Sequence, residues 1–399
     1  MHRFRALVPV LTLVLIVAAC GGDDPETTTT TAAAAVDETT TTGVAETTTS
    51  TAAPVVATVT NGTPGLEAAV SSIFGDRSGV DPGFSDHLAG AGADVDAVTY
   101  EAHLGVAAGE QVAVVTDGTD VLYAVAPDGS DDWTVVAGTL PSLGVAPWYG
   151  DEPIQVYIIG SDARPGQSVT GYRADSHHII TLEADGSAGS IVGIPRDSYV
   201  TTPEGTSGKF TNVMASNGPE RVVATAEILT DLEFEGYVVT GFKGFVDLID
   251  EFGGFEVEVP VRLNDDAAKA YLNAGVQTLN GTNMLAFART RKTISGGDFT
   301  RQYHHGVIMQ WGLHAVQQKG VTAIPTLLEM LERHAITDLT ATQLLRITGA
   351  MSHVDPFEMT NVVVPASNGS AGGAYVARLQ DGAFEIFADL ADGPYVPEE

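Results

Sequence analysis

From Asp151 onward the sequence switches repeatedly between two hydrophobic periods, and this alternation limits the fold more than any other feature. The runs "IQVYIIG", "GYVVTGF" and "FEVEVPV" read as strands, and "HHIITLEADGSAGSIVGIPRD" reads as a strand pair turning at "ADGSAGS". Between and after them, "PERVVATAEILTDL", "KGFVDLIDEFGG", "NGTNMLAFARTR", "DFTRQYHHGVIMQWGLHAVQQ", "AIPTLLEMLERH" and "ATQLLRITGAMSH" have helical spacing, with late strands near "TNVVVPA". Such a series buries its apolar faces as an α/β or α+β layered domain over 151–395, a mixed sheet with helices on both faces.

Upstream, residues 64–150 have a different texture. "GLEAAVSSIFG" suits a short helix, whereas "QVAVVTDGTDVLYAVAP" and "DWTVVAGTLPSLG" alternate and carry Asp-Gly turn signals of hairpins. A small β-rich accessory unit without chemistry of its own is predicted. Residues 20–63 are almost entirely Thr, Ala, Gly, Asp, Glu, Pro and Val, which cannot bury enough apolar surface to offset chain entropy. They read as a disordered tether, about forty residues with a reach of roughly 35 Å.

Residues 1–19 form a basic start, an apolar run too short to span a bilayer, and small residues before Cys20. "VAAC" followed by "GG" resembles a bacterial lipobox, in which Cys20 is acylated; an uncleaved anchor is the alternative. Both place the body on the extracytoplasmic face of the cell membrane. Cys20 is also the only cysteine, so no intramolecular disulfide forms.

The formal charge of −32 disfavours nucleic acid or an anionic membrane surface as a general partner. A local cluster of arginines still holds an anion, because charges are screened beyond ~8 Å at physiological salt. The cluster is visible: Arg164, Arg173, Arg196, Lys209, Arg289, Arg291 and Arg301 fall in loops, at strand ends or on helices that can meet at one sheet edge. Several guanidinium forks together suit a diphosphate. Asp162 and Asp175 flank the same opening loop. They are either ligands of Mg²⁺, which combines carboxylates with substrate oxygens, or partners of the neighbouring arginines. Asp298, Arg301, His304 and His305 share one helix face, which is polar. His177 and His178 begin a strand and point to opposite sides, one of them into the cleft, and adjacent imidazoles seldom converge on one metal ion.

Seven segments, "IIGSDAR", "YRADS", "IPRDSYV", "KFTNVMASNGPE", "FKGFVDLIDEFGGFEVEVP", "LNGTNMLAFARTR" and "GDFTRQYHH", occur in the order seen in LytR-CpsA-Psr proteins, from about Ile154 to about Gln317. The chain therefore resembles that family. The resemblance implies an enzyme that moves a glycan from an undecaprenyl diphosphate carrier onto peptidoglycan as a phosphodiester. It also implies Mg²⁺ at Asp162 and Asp175, and Arg173, Arg196, Arg289, Arg291 and Arg301 around the diphosphate, with Arg164, Lys209, Asp197 and Asp298 at other polar motif positions. A catalytic set of Arg196, Asp298 and Asp197 follows, the aspartates being the first and second candidates to take the acceptor proton or else to orient an arginine. The family pattern after "DFxR" usually continues with Arg and Gln, where this chain has His304 and His305; a histidine can donate to phosphate, with a charge that depends on pH. The rival readings are a glycan-binding scaffold with little turnover and a polyprenyl pyrophosphatase.

Overall fold

The computed structural model describes residues 57–397 apart from 92–96 and Thr293. The leader, Cys20 and tether residues 20–56 lie outside the described residues. The N-terminal elements are β1 (Thr58–Thr60), α1 (Pro64–Ser72), α2 (Pro82–His87), β2 (Thr99–Ala107), β3 (Glu110–Thr116), β4 (Val121–Pro127), β5 (Thr134–Leu140) and β6 (Val145–Trp148). They build a six-stranded sheet in the order β1-β2-β3-β4-β5-β6. The predicted tether thus ends earlier than residue 63. Ala57 and Val59 are buried, β1 pairs in parallel with β2, and Thr63 caps α1 by accepting from the Leu66 amide at 3.3 Å.

The second region runs β7 (Ile154–Ser161), β8 (Ala174–Leu182), β9 (Gly189–Gly193), β10 (Tyr199–Thr201), β11 (Ser207–Lys209), α3 (Met214–Asn217), α4 (Pro219–Thr230), β12 (Gly236–Thr240) and α5 (Phe242–Phe252). It continues with β13 (Phe255–Val259), β14 (Leu263–Asp265), β15 (Ala270–Leu272), β16 (Gly275–Leu279), α6 (Gly281–Arg289), α7 (Asp298–Gln317) and α8 (Ile324–His334). It ends in β17 (Ile336–Thr337), α9 (Ala341–Met351), β18 (Thr360–Val363), β19 (Ala366–Ala371), β20 (Ala374–Leu379) and α10 (Asp381–Leu390). The central sheet has the order β17-β12-β7-β8-β9-β18 and is mixed, with β12 parallel to β7, β18 parallel to β9, and β8 antiparallel to both neighbours. Alternation along β8 sends Ile179 to the face covered by α4 and α10, and Ile180 and Leu182 to the face covered by α8 and α9. The expected layering is therefore present.

The β-rich N-terminal unit is not a detached spacer. Val112, Val114 and Tyr123 of its sheet belong to the same buried cluster as Ile180, Ile191, Leu328 and Leu345. Its opposite face, through Ala113, Val115 and Leu122, packs on α1 and α2. Arg346 of α9 fastens the seam, donating from Nε to the Val136 carbonyl at 3.1 Å and pairing with Asp81 at 3.1 Å. Gly349 lets α9 approach that close, because a Cβ there would lie 2.3 Å from the Tyr149 ring. Gly→Ala inside an exposed helix gains about 1 kcal/mol. At Gly349 the sign is expected to reverse to a loss of about 1–3 kcal/mol from overpacking, read as a lower denaturation midpoint.

Candidate functional site

The C-terminal ends of β7, β12 and β9 and the start of β8 lie at one edge of the central sheet, where α/β layers present their ligand sites. A register shift between Gly160 and Ser161 breaks the β7–β8 ladder there, and Asp162 and Arg173 follow as facing residues. The Asp162 amide donates to the Arg173 carbonyl at 2.9 Å. In return Arg173 donates to the Asp162 carboxylate from its amide, Nε and Nη2, at 3.1, 3.0 and 2.7 Å. That carboxylate holds the Arg173 pKa above its ordinary value.

Asp162 and Arg173 open onto a cavity of about 610 Å³ whose other charged lining residues are Arg164, Asp175, Arg196, Asp265, Arg289, Arg291, Lys292 and Arg301. Seven cations against three carboxylates make a positive hollow in an acidic protein. Among the described residues, Arg164, Arg289, Arg291 and Lys292 enter no ion pair, and Arg289 lies over the Phe242 ring at 4.8 Å. Four cations are thus free to meet an anion.

Deeper in, Arg196 Nη1 donates to Asp175 at 2.5 Å, and Thr211 Oγ1 donates to the other oxygen of that carboxylate at 3.2 Å. Asp298 lies between two guanidiniums, 2.5 Å from Arg301 Nη2 and 3.8 Å from Arg196 Nε. Burial opposes the charge on Arg196, but Asp175 and Asp298 outweigh it and raise its pKa. Burial dominates at Arg301 and lowers its pKa, partly offset by Asp298. Arg301 is 6% exposed and donates to the Asp175 carbonyl at 3.1 Å. Asp298 therefore sits between the two arginines as their shared counter-charge.

The remaining predicted positions divide. Asp197 pairs with Lys209 at 2.9 Å, and neither lines the cavity. The antiparallel β10–β11 hairpin carries Lys209 alongside that aspartate, so the pair braces a loop outside the cavity lining. His304 is also outside, 2% exposed and 4.8 Å from the Phe287 ring, with a pKa pushed down by burial to about 4. His305 does line the cavity, but both its nitrogens are engaged, Nδ1 with Ser176 Oγ at 2.9 Å and Nε2 with the Ala288 carbonyl at 2.7 Å. Burial, with His178 and Arg301 nearby, holds its pKa well below the usual value, so it brings no positive charge at neutral pH. The expected histidine donors to phosphate are thus a packed core residue and a neutral wall residue.

His177 and His178 differ from expectation as well. They sit inside β8, both fully buried, His177 stacked on Phe210 at 4.1 Å and His178 facing the Gln302 carbonyl at 3.0 Å. Neither lines the cleft.

The structure adds Asp265, which no local signal marked. Its buried carboxylate accepts from the backbone amides of Ala267 and Ala268, at 2.9 and 3.1 Å, and of Arg291 and Lys292, at 3.3 and 3.1 Å. Burial raises its pKa, but those amides outweigh burial and lower it. It fixes the loop that brings two cations to the rim. The lining also includes Ser176 and Lys292, and Thr211 reaches the site through its hydrogen bond to Asp175.

A second cavity, about 420 Å³ and lined mainly by Leu, Ile, Phe, Met and Val, adjoins the first. Phe245, Leu248, Ile308, Met309 and Leu331 line both. These Leu and Ile side chains between sheet and helices therefore form a wall around a void. The combined site is amphipathic, with a cationic mouth and an apolar depth.

The LytR_cpsA_psr family model matches residues 136–390. Over 199 residues the chain is 31% identical to the polyisoprenyl-teichoic acid--peptidoglycan teichoic acid transferase TagU of Bacillus cereus (strain AH820), covering 48% of this chain and 63% of that protein. Over 158 residues it is 32% identical to TagV of Bacillus subtilis (strain 168), a transferase with the same description, covering 38% of this chain and 40% of that one. The matches thus span less than two thirds of these relatives. Among solved structures, B. subtilis TagV superimposes with a TM-score of 0.52 at 24% identity, over 61% of this chain and 96% of that one. TagT bound to LI-WTA does so with a TM-score of 0.51 at 21% identity, over 61% and 90%. The superpositions establish a shared fold.

Proposed function

Because this chain belongs to the LytR_cpsA_psr family, we propose that it transfers a glycopolymer from a polyprenyl diphosphate carrier, undecaprenyl by the family resemblance, to peptidoglycan, forming a phosphodiester. The observation that carries the reading is the continuity of the two cavities: a cationic mouth suits a diphosphate, and the apolar depth beneath it suits the attached hydrocarbon chain. The TagU and TagV names describe transfer of a polyisoprenyl-linked teichoic acid to peptidoglycan by those proteins, and the same class of donor and acceptor is proposed here. Cys20 would anchor the chain to the extracytoplasmic face of the membrane, with the tether lifting the body toward the wall.

Catalysis in this reading is positioning and charge stabilisation. Arg196 and Arg301, aimed by Asp298 and Asp175, hold the diphosphate oxygens as the acceptor hydroxyl attacks the glycan-linked phosphorus and polyprenyl phosphate leaves, carrying away the hydroxyl proton. Arg164, Arg289, Arg291 and Lys292 supply further charge at the rim. Asp162 and Asp175 fit a divalent cation that completes its shell with substrate oxygens: both are hard carboxylates on the same cavity, and each retains lone pairs beyond its arginine contacts. Among the described residues no cluster of three or more candidate ligands exists, so such an ion would be held jointly with the diphosphate. When bound, Mg²⁺ supplies charge neutralisation at the phosphate oxygens.

The test uses the full chain in detergent with a polyprenyl diphosphate-linked glycan and peptidoglycan, titrated with Mg²⁺ after chelation. Transfer should depend on the metal, and Asp175→Asn should raise the Mg²⁺ needed for half-maximal turnover by at least about tenfold. Metal-independent transfer would sink the Mg²⁺ assignment. Phosphate release that continues undiminished when acceptor is supplied would replace the ligase by a pyrophosphatase, and binding without turnover would replace it by a scaffold.

A further inference from the structure

We infer that the N-terminal sheet sets the depth of the apolar cavity and so determines which polyprenyl chain lengths the site accepts; this rests on the proposed lipid-linked donor. The cavity's far wall is built from the 3₁₀ turn Val321–Ala323 and from α8 and α9, through Val321, Ile324, Leu328 and Met351. These side chains belong to, or pack against, one buried cluster with Ala107, Val112 and Val114 of β2 and β3, so the wall is a single layer with the sheet behind it.

The contact is close and directional. Gly105 of β2 faces Pro325, and a Cβ there would stand 2.7 Å from the Pro325 Cβ. Beside it the Val106 amide donates to Glu329 at 3.3 Å, and the Ala108 amide donates to Glu332. Two carboxylates of α8 thus satisfy amides along β2 beyond its short pairing with β1, which ends at Glu101. Position along the strand is thereby coupled to position along the helix. A displacement of α8 by even a methylene's width changes the void on its other side, because packed layers transmit strain. The family match begins at residue 136, inside β5, so β1–β4 lie outside it.

The test is Gly105→Val in the full chain, with binding of farnesyl, heptaprenyl and undecaprenyl diphosphate measured beside thermal melting. The added side chain should press α8 into the cavity. Affinity for the undecaprenyl carrier should fall about tenfold, equivalent to the loss of about two buried methylenes, while farnesyl diphosphate binding stays within about twofold. Should Gly105→Val fold poorly, Val112→Ala opens space behind the wall and should shift preference toward the longest carrier. Equal loss for all three carriers in Gly105→Val, or an unchanged chain-length profile in both variants, overturns the inference. A parent protein that binds all three equally also overturns it but leaves the diphosphate reading standing, whereas a parent that binds none overturns both.

Discussion

Arg196→Ala is expected to lower the rate of glycan transfer by about 10²–10³-fold, the range seen when one preorganised donor is removed from a site of charge stabilisation. The size follows from what Arg196 connects. It pairs with Asp175 at 2.5 Å and lies 3.8 Å from Asp298, and the latter also holds Arg301. Removing it deletes a donor and leaves the Asp175 carboxylate without its guanidinium partner, while Arg301 keeps its own pair with Asp298. Arg196→Lys keeps the charge but not the planar fork, so it should restore only part of the rate. Single-turnover transfer with saturating donor separates this loss from weakened binding, and melting curves control for folding. An Arg196→Ala protein that melts normally and transfers at the parental rate would remove Arg196 from the reaction.

The sequence carried the layered fold because each central element had one dominant period, and the strand ends followed from the element order. It misled where long-range pairing decides. Thr58–Thr60 is indistinguishable in composition from the threonine runs before it, and becomes β1 only by pairing with β2 about forty residues away. Spacing put Asp298, Arg301, His304 and His305 on one polar face, as it should. It could not say that α7 packs against α6, β13, β18 and β9, so that Arg301 and His304 are buried while Asp298 and His305 are half-buried. Asp197 stands in sequence directly after the lining residue Arg196, and Lys209 opens a polar motif, yet the β10–β11 hairpin brings Lys209 back beside Asp197, where the two pair with each other. Asp265 was illegible for the converse reason: its partners at 291 and 292 lie more than twenty-five residues away and are backbone amides, which leave no mark in side-chain identity.

The buried histidines carry a consequence for stability in mild acid. Burial pushes the pKa of His177 down to about 3 and those of His178 and His304 to about 4, while an unfolded histidine titrates near 6.5. Below about pH 6.5 the unfolded chain binds protons that the folded chain refuses, so stability falls with pH and the contribution is fully lost only below the folded values. Between pH 7 and pH 5 each of these histidines should cost about 2 kcal/mol, and the three together on the order of 5 kcal/mol. Against a total of roughly 5–15 kcal/mol, that brings the protein close to unfolding. The acidic surface acts in the opposite sense, because protonation relieves repulsion within a chain of charge −32, but mainly near pH 4, where carboxylates titrate. The two effects therefore occupy different windows. His304→Leu isolates the first, since His304 touches Phe287 and Leu keeps an apolar contact there. Denaturant unfolding at pH 7 and pH 5 should show the parent losing about 2 kcal/mol more than this variant over that interval. Equal losses in the two proteins would mean that His304 titrates alike in both states, and that the acid sensitivity of the fold arises elsewhere.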